Sequence, residues 1–214
     1  MKRGVNFCYG LTKNTMYRPH LAKTICKYYN ASTVFDPCCG WGGHLLGTVA
    51  AGAKYIGREP NTETYQNLLR MVKFLGVESQ VEIFNFPAEQ IDVNLLSYDL
   101  VLTSPPYYNL EVYSSENTQS ENKYETYSAW LEDWFKPLVL SSAKKAKVIC
   151  WNVADIGKIT LQKDFLTLME RLPEWKESTI FGIGSSAHQA NQNELKNKKK
   201  SGQDSHICKS IKEK

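Results

Sequence analysis

Thr33-Val34-Phe35-Asp36-Pro37-Cys38-Cys39-Gly40-Trp41-Gly42-Gly43 reads as a short buried strand running into a loop whose glycines permit turns closed to other residues. Residues 44–51, rich in Leu, Val and Ala, predict a helix that Gly52 stops, and residues 54–57 predict a second strand with Glu59 just beyond it. The pattern continues downstream. Residues 62–75 place Tyr65, Leu68, Leu69, Val72 and Leu75 on one helix face before Gly76. Residues 81–84 alternate as a third strand, and residues 98–103 form a fourth. Ser104-Pro105-Pro106-Tyr107-Tyr108-Asn109 ends that fourth strand, because consecutive prolines cannot continue a central sheet.

Residues 109–126 are polar and nearly free of aliphatics, which predicts a mobile loop longer than most connections, lying beside the end of the fourth strand. Trp130, Trp134, Leu138 and Val139 mark a helix. Residues 147–153 give a fifth strand, 165–172 a helix, 178–183 a sixth strand and 206–211 a seventh. This alternation predicts an α/β fold with a parallel, doubly wound sheet and helices on both faces. Residues 1–184 are expected to form one domain, followed by a polar, basic segment, 185–214, that includes the last strand. Ligands in such sheets gather at the carboxyl ends of the strands. The glycine loop, Glu59 and the Ser-Pro-Pro-Tyr segment should therefore converge on one edge.

Composition narrows the class. With 214 residues, 42% hydrophobic and 22% charged, the chain matches one folded domain and departs from disordered, collagenous and membrane proteins. No run approaches the roughly 18 apolar residues of a membrane span, and the first residues lack an apolar signal core. The expected location is the cytoplasm, or a host cell's interior. The six cysteines show no C-x-x-C pair, so reduced thiols and no metal site are expected. Of the net charge of +4, the segment 194–214 carries seven Lys against three acids. Such an end suits a polyanion, or is a solvated tail.

A glycine loop after a first strand lets backbone N–H groups and a helix N-terminus approach a phosphate or a carboxylate. An acidic residue at the end of the second strand offers its carboxylate to two ribose hydroxyls, and Glu59 stands 19 positions after Gly40. Together they indicate an adenosine-containing cofactor. The loop is not G-x-x-x-x-G-K-[ST], which excludes a P-loop ATPase. In Ser104-Pro105-Pro106-Tyr107, two prolines stiffen the strand end beside a hydroxyl and a flat ring, which makes a receptor for a planar amino group. An exocyclic base amine can donate to the Ser104 hydroxyl and a backbone carbonyl while the base stacks on Tyr107. Cys38 and Cys39 read as small loop residues, not nucleophiles. Trp130 and Trp134, four residues apart, read as helix-packing core. Isolated His188 and His206 receive no catalytic role.

These residues resemble an amino-group DNA methyltransferase that uses S-adenosylmethionine. In that family the loop often reads D-P-F-x-G-S-G, against Asp36-Pro37-Cys38-Cys39-Gly40-Trp41-Gly42 here, and the catalytic motif (D/N/S)-P-P-(Y/F/W) is matched by Ser104-Pro105-Pro106-Tyr107. The N-terminal segment with Tyr9-Gly10, Thr12-Lys13 and Arg18-Pro19-His20 resembles the motif that packs near the methionine end of the cofactor. The resemblance covers residues 5–183. It implies a Rossmann-like methyltransferase fold with a mostly parallel seven-stranded sheet, and direct methyl transfer to a flipped base in duplex or single-stranded DNA. It also places Asp36, Pro37, Cys38, Gly40 and Gly42, with Tyr9 and Thr12, around the methionine. Glu59 and Pro60 would lie at the ribose, Phe86, Pro87 and Ala88 at the adenine with Glu89 as a second candidate, and Ser104 between cofactor and base. Arg58, where the family more usually has an aliphatic residue, is expected either to pair with Glu59 or to point to solvent.

Adenine N6 is slightly preferred over cytosine N4 as the acceptor. Only residues 109–126 and 185–205 are left for sequence recognition, so specificity is expected to be short, or shared with a second subunit or a homodimer, as in restriction-modification systems. An RNA base methyltransferase of the same fold would share every motif. A catalytically silent nucleic-acid-binding module is the other alternative, and the intact Ser-Pro-Pro-Tyr argues against it.

Overall fold

The structure, a computed structural model, describes residues 16–90, 92, 96–109, 117–172, 174–182 and 205–211. The chain enters on helix α1 (Pro19–Tyr28), then β1 (Thr33–Asp36), α2 (Gly43–Ala51), β2 (Lys54–Arg58), α3 (Thr62–Leu75), β3 (Val81–Phe84) and β4 (Leu100–Thr103). A three-part helix follows: α4 (Tyr127–Trp130), a π-helical stretch Leu131–Phe135, and α5 (Lys136–Ala143). Then come β5 (Val148–Val153), a small hairpin of β6 (Asp155–Ile156) and β7 (Ile159–Thr160), α6 (Leu161–Glu170), β8 (Trp175–Gly182) and β9 (Ser205–Ile211).

The main sheet runs β3-β2-β1-β4-β5-β9-β8. The first five strands are parallel, while β9 inserts antiparallel between β5 and β8. Strand order reverses between β1 and β4, so the helices leaving these two strands diverge and open a crevice at their carboxyl ends. This is a doubly wound α/β sheet.

Side-chain alternation along the strands loads both faces. Phe35, Val101, Ile149 and Trp151 pack with Trp130, Phe135 and Leu138 of the three-part helix and with Phe165 of α6. Their neighbours Val34, Leu100, Leu102 and Cys150 face the other way, onto Ala22, Ile25 and Cys26 of α1. On that same side, Tyr55 and Ile83 meet Leu45 of α2 and Leu68 and Val72 of α3. Helices α1 and α2 touch closely because Gly47 has no side chain: a Cβ there would come within 2.3 Å of the Pro19 carbonyl oxygen.

Trp130 and Trp134 are buried, as their spacing predicts. The cysteine expectation holds for Cys26, Cys38 and Cys39, which are free thiols. It fails at Cys150, which is disulfide-bonded on a strand whose register sets it opposite Cys208. Arg58 neither pairs with Glu59 nor points outward. It is 8% exposed, with its guanidinium 4.3 Å above the Phe84 ring and 5.9 Å from that of Phe86, a cation–π arrangement. Among the described residues no helix is long and apolar enough to cross a membrane, and no cluster of His, Cys, Asp and Glu could hold a metal ion.

Candidate active site

The site begins with a buried carboxylate at the end of β1. Asp36 is fully enclosed, and such a charge is tolerated only when hydrogen-bonded on every side. Its Oδ1 accepts from the Cys38 amide at 3.1 Å and the Thr103 hydroxyl at 2.6 Å. Its Oδ2 accepts from the Tyr55 hydroxyl at 2.8 Å and lies 3.0 Å from His44 Nδ1. These four contacts tie β1 to β2, to β4, to the glycine loop and to the first turn of α2. Burial and the Asp36 charge push the Tyr55 phenol well above its ordinary value, so it remains a donor.

The glycines of the loop have different surroundings. Gly42 caps α2 in the left-handed conformation with φ of 81°, and a Cβ on it would meet Met71 Cε at 2.6 Å and Leu68 Cδ2 at 2.8 Å. It lets the loop pack on α3. Gly40, with φ of 50°, has no atom of the described residues within 4 Å of its Cβ position, so among them the loop there offers bare backbone. Cys39 fits over Gly57, where a Cβ would lie 2.3 Å from its sulfur. Burial, followed by the Asp36 charge, pushes both the Cys38 and Cys39 thiols well above their ordinary value. Neither is a poised nucleophile.

At the end of β4, Ser104 meets two partners that the motif alone does not reveal. Its Oγ lies 3.5 Å from His44 Nε2 and accepts from Asn152 Nδ2 at 3.1 Å. His44 is 2% exposed, and its ring centroid lies 3.9 Å from that of Tyr17. Tyr107 donates to the Asn152 backbone carbonyl at 3.3 Å, which sets its ring beside the strand end, while Pro105 is buried and Pro106 half-buried. Tyr108 has φ of 52°, a non-glycine residue in the left-handed region, directly after the motif.

Glu59, 6% exposed, closes the other side. Its Oε1 accepts from the Asn61 amide at 2.9 Å, and Asn61 caps α3 by accepting from Thr64 at 2.7 Å. Asn85 Nδ2 donates to the backbone carbonyls of Glu59 and Pro60, joining the ends of β2 and β3. Ala88 is buried. The Glu89 carboxylate takes a hydrogen bond from Trp134 Nε1 at 2.8 Å and pairs with Lys123, so both its oxygens are engaged by the three-part helix and the loop before it. Pro87 leads into the short 3-10 turn Ala88–Gln90. Tyr9 and Thr12 lie outside the described residues.

The structure therefore brings Asp36, Cys38, Gly40 and Ser104 to one edge, with Glu59 at the end of the neighbouring β2. Asp36 organises that edge from inside rather than facing a ligand. His44 and Asn152 are additions that sequence reasoning missed. A polar residue interrupting the buried run of β5 was the available signal for Asn152; His44 offered only a polar residue in an apolar helix.

No protein-family model matches the sequence, and no curated protein matches it. The fold is similar to TrmN from Thermus thermophilus, with a TM-score of 0.59 and 11% identity over 90% of this chain and 48% of that one. It is also similar to a Clostridium thermocellum structure titled as an rRNA-methylase, with a TM-score of 0.60 and 12% identity over 93% of this chain and 100% of that one. A Listeria monocytogenes structure titled as an S-adenosylmethionine dependent methyltransferase gives 0.59 and 13% identity over 91% and 97%. The chain spans about half the length of TrmN, its counterpart in the first of these. The fold is thus the Rossmann-like one that these structures share, the cofactor named for the Listeria monocytogenes structure being S-adenosylmethionine. The open cradle at Gly40 and the buried acid at the end of β2 fit that cofactor.

Proposed function

We propose that this chain is an S-adenosylmethionine-dependent methyltransferase acting on the exocyclic amino group of a nucleobase in DNA, with adenine N6 slightly preferred over cytosine N4. The observation that carries the reading is the Ser104 hydroxyl. It stands at the carboxyl end of β4, beside the loop that exposes Gly40, and is held there by Asn152 and His44.

When bound, S-adenosylmethionine supplies a methyl group already activated by its sulfonium, so the protein needs no covalent nucleophile. Gly40 admits the cofactor to its backbone, and Glu59 binds the ribose hydroxyls. Ser104 accepts a hydrogen bond from the base amine, drawing the nitrogen toward a tetrahedral shape in which its lone pair is available. Tyr107 supplies a flat surface for a flipped base. Most of the catalysis is positioning, since holding two reactants in line removes much of the entropic barrier.

An RNA base is the second reading, favoured by the rRNA-methylase name of one structural neighbour. Whichever polymer is bound, the lysine-rich stretch 196–200 is a candidate phosphate contact, and target choice is short or shared with a second subunit. Incubation with labelled cofactor and duplex DNA, single-stranded DNA or RNA, followed by nucleoside mass spectrometry, tests the proposal. Methyladenine labelled in DNA is the expected result, and N4-methylcytosine would reassign the base. Label in RNA alone would establish the second reading, and label in none of the three would contradict both.

A further inference from the structure

We propose that Asp36, His44 and Ser104 form a proton relay that carries away the proton displaced from the amine, with Asn152 setting the direction of the relay. This rests on the proposed function and assigns the path of a proton that the Ser-Pro-Pro-Tyr motif leaves unassigned.

Hydrogen-bond direction fixes the chain link by link. Asp36 as a carboxylate can only accept, and it already accepts from Cys38, Thr103 and Tyr55. The nitrogen 3.0 Å from it, His44 Nδ1, must therefore carry a hydrogen. In neutral imidazole the other nitrogen is then an acceptor. That nitrogen, Nε2, faces Ser104 Oγ at 3.5 Å. Asn152 Nδ2 donates to the same oxygen at 3.1 Å, which occupies one of its two lone pairs. The hydroxyl hydrogen is thus directed to His44, and one lone pair of Ser104 is left for the hydrogen of an incoming amine. The 3.5 Å link is the loosest, as catalytic contacts commonly are before substrate binds.

The proton balance follows. The base nitrogen attacks the sulfonium methyl carbon, the new N–C bond forms as the C–S bond breaks, and the positive charge passes from sulfur to the methylated nitrogen. That nitrogen gives a proton to Ser104 Oγ as the Ser104 proton moves to His44 Nε2. The imidazolium is held against the Asp36 carboxylate. Once product leaves, the proton returns through Ser104 to water, since His44 itself is enclosed. Ser104 touches the reacting amine; His44 and Asp36 act through it as positioning residues.

Among the described residues, the titratable groups placed against the His44 ring are Asp36 from β1 and Tyr17 from the segment ahead of α1; Tyr55 of β2 shares the Asp36 carboxylate. Burial pushes the Tyr17 phenol far up, so it stays neutral through the working range. Nitrogen NMR of the free protein reads the arrangement without substrate or cofactor. The relay predicts the Nδ1–H tautomer of His44, with the Nε2 signal shifting in Ser104→Ala. An Nε2–H tautomer overturns it, whether or not the chain methylates anything. In single-turnover methylation, His44→Gln should lower the transfer rate about 100-fold, the low end of general-base contributions. Cofactor affinity by calorimetry should meanwhile stay within twofold. Wild-type rate in a folded His44→Gln protein overturns the relay even if methylation itself is established.

Discussion

Gly40 and Gly42 sit in one loop, both with positive φ, yet the space beside each differs. A Cβ on Gly40 would meet none of the described residues, whereas one on Gly42 would strike Met71 and Leu68. Gly40→Ala should cost about 1–2 kcal/mol of left-handed strain, and its Cβ would occupy the cofactor's cradle. Gly42→Ala adds overpacking of about 1–3 kcal/mol to the same strain. Denaturant unfolding should rank Gly42→Ala as the less stable, while calorimetry should find the greater loss of cofactor affinity, relative to stability lost, in Gly40→Ala. The reverse ranking would mean the cradle is misassigned. Glu59→Gln offers a cleaner separation, because a Gln carbonyl can still accept from the Asn61 amide while the charge is gone. Cofactor affinity should fall by about 1–3 kcal/mol, the scale of a hydrogen bond to a charged group, with the unfolding midpoint nearly unchanged. Unaltered affinity would remove Glu59 from the ribose.

At the scale of elements, legibility in the sequence followed periodicity. Helix α3 matches its predicted span because its apolar stripe is regular and Gly76 ends it in the left-handed conformation. β1, β3 and β9 were legible as compact apolar or alternating runs. Helix α1 was not, since only Ala22, Ile25 and Cys26 of its ten residues are buried, and that stripe is too thin to stand out among polar neighbours. The hairpin of β6 and β7 was also missed, its two-residue strands being shorter than any periodic signal. The three-part helix was legible as a helix, but its π-helical stretch was not. Pro137 lacks the N–H that a regular α-helix would use at that turn, while the buried indoles of Trp130 and Trp134 hold hydrogen bonds to Ser120 and Glu89. Of the candidate site, the loop and the strand-end motif were legible; His44 and Asn152 depend on how β1, β4 and β5 lie side by side, which no local pattern encodes.

For the molecule as a whole, β9 carries a burden out of proportion to its place near the end of the chain. It bonds to β5 on one side and β8 on the other, so deleting residues 205–214 strips β5 of a neighbour and leaves β8 unpaired, an aggregation-prone edge. The shortened chain should lose its cooperative thermal transition; a melt matching the full-length protein would refute this. Stability should also fall in alkali. Burial pushes the Cys26 thiol from 9.0 up to about 11 and raises the phenols of Tyr17 and Tyr98. Between those pH values the unfolded chain releases protons that the folded one keeps, so stability present below pH 9.0 is lost as pH rises toward 11. For Cys26 alone the loss approaches about 3 kcal/mol. The urea midpoint should therefore be lower at pH 10 than at pH 8, and equal midpoints would contradict it.

The central claim is that cofactor and base amine meet over the carboxyl edge of β1 and β4. A crystal structure of the protein with S-adenosylhomocysteine tests it most directly. The ligand's sulfur is expected on the side facing Ser104, with the ribose on Glu59 and the methionine part along Gly40. A ligand bound at the opposite edge of the sheet, in the cleft lined by Tyr29, Asp99 and Lys147, would contradict the account.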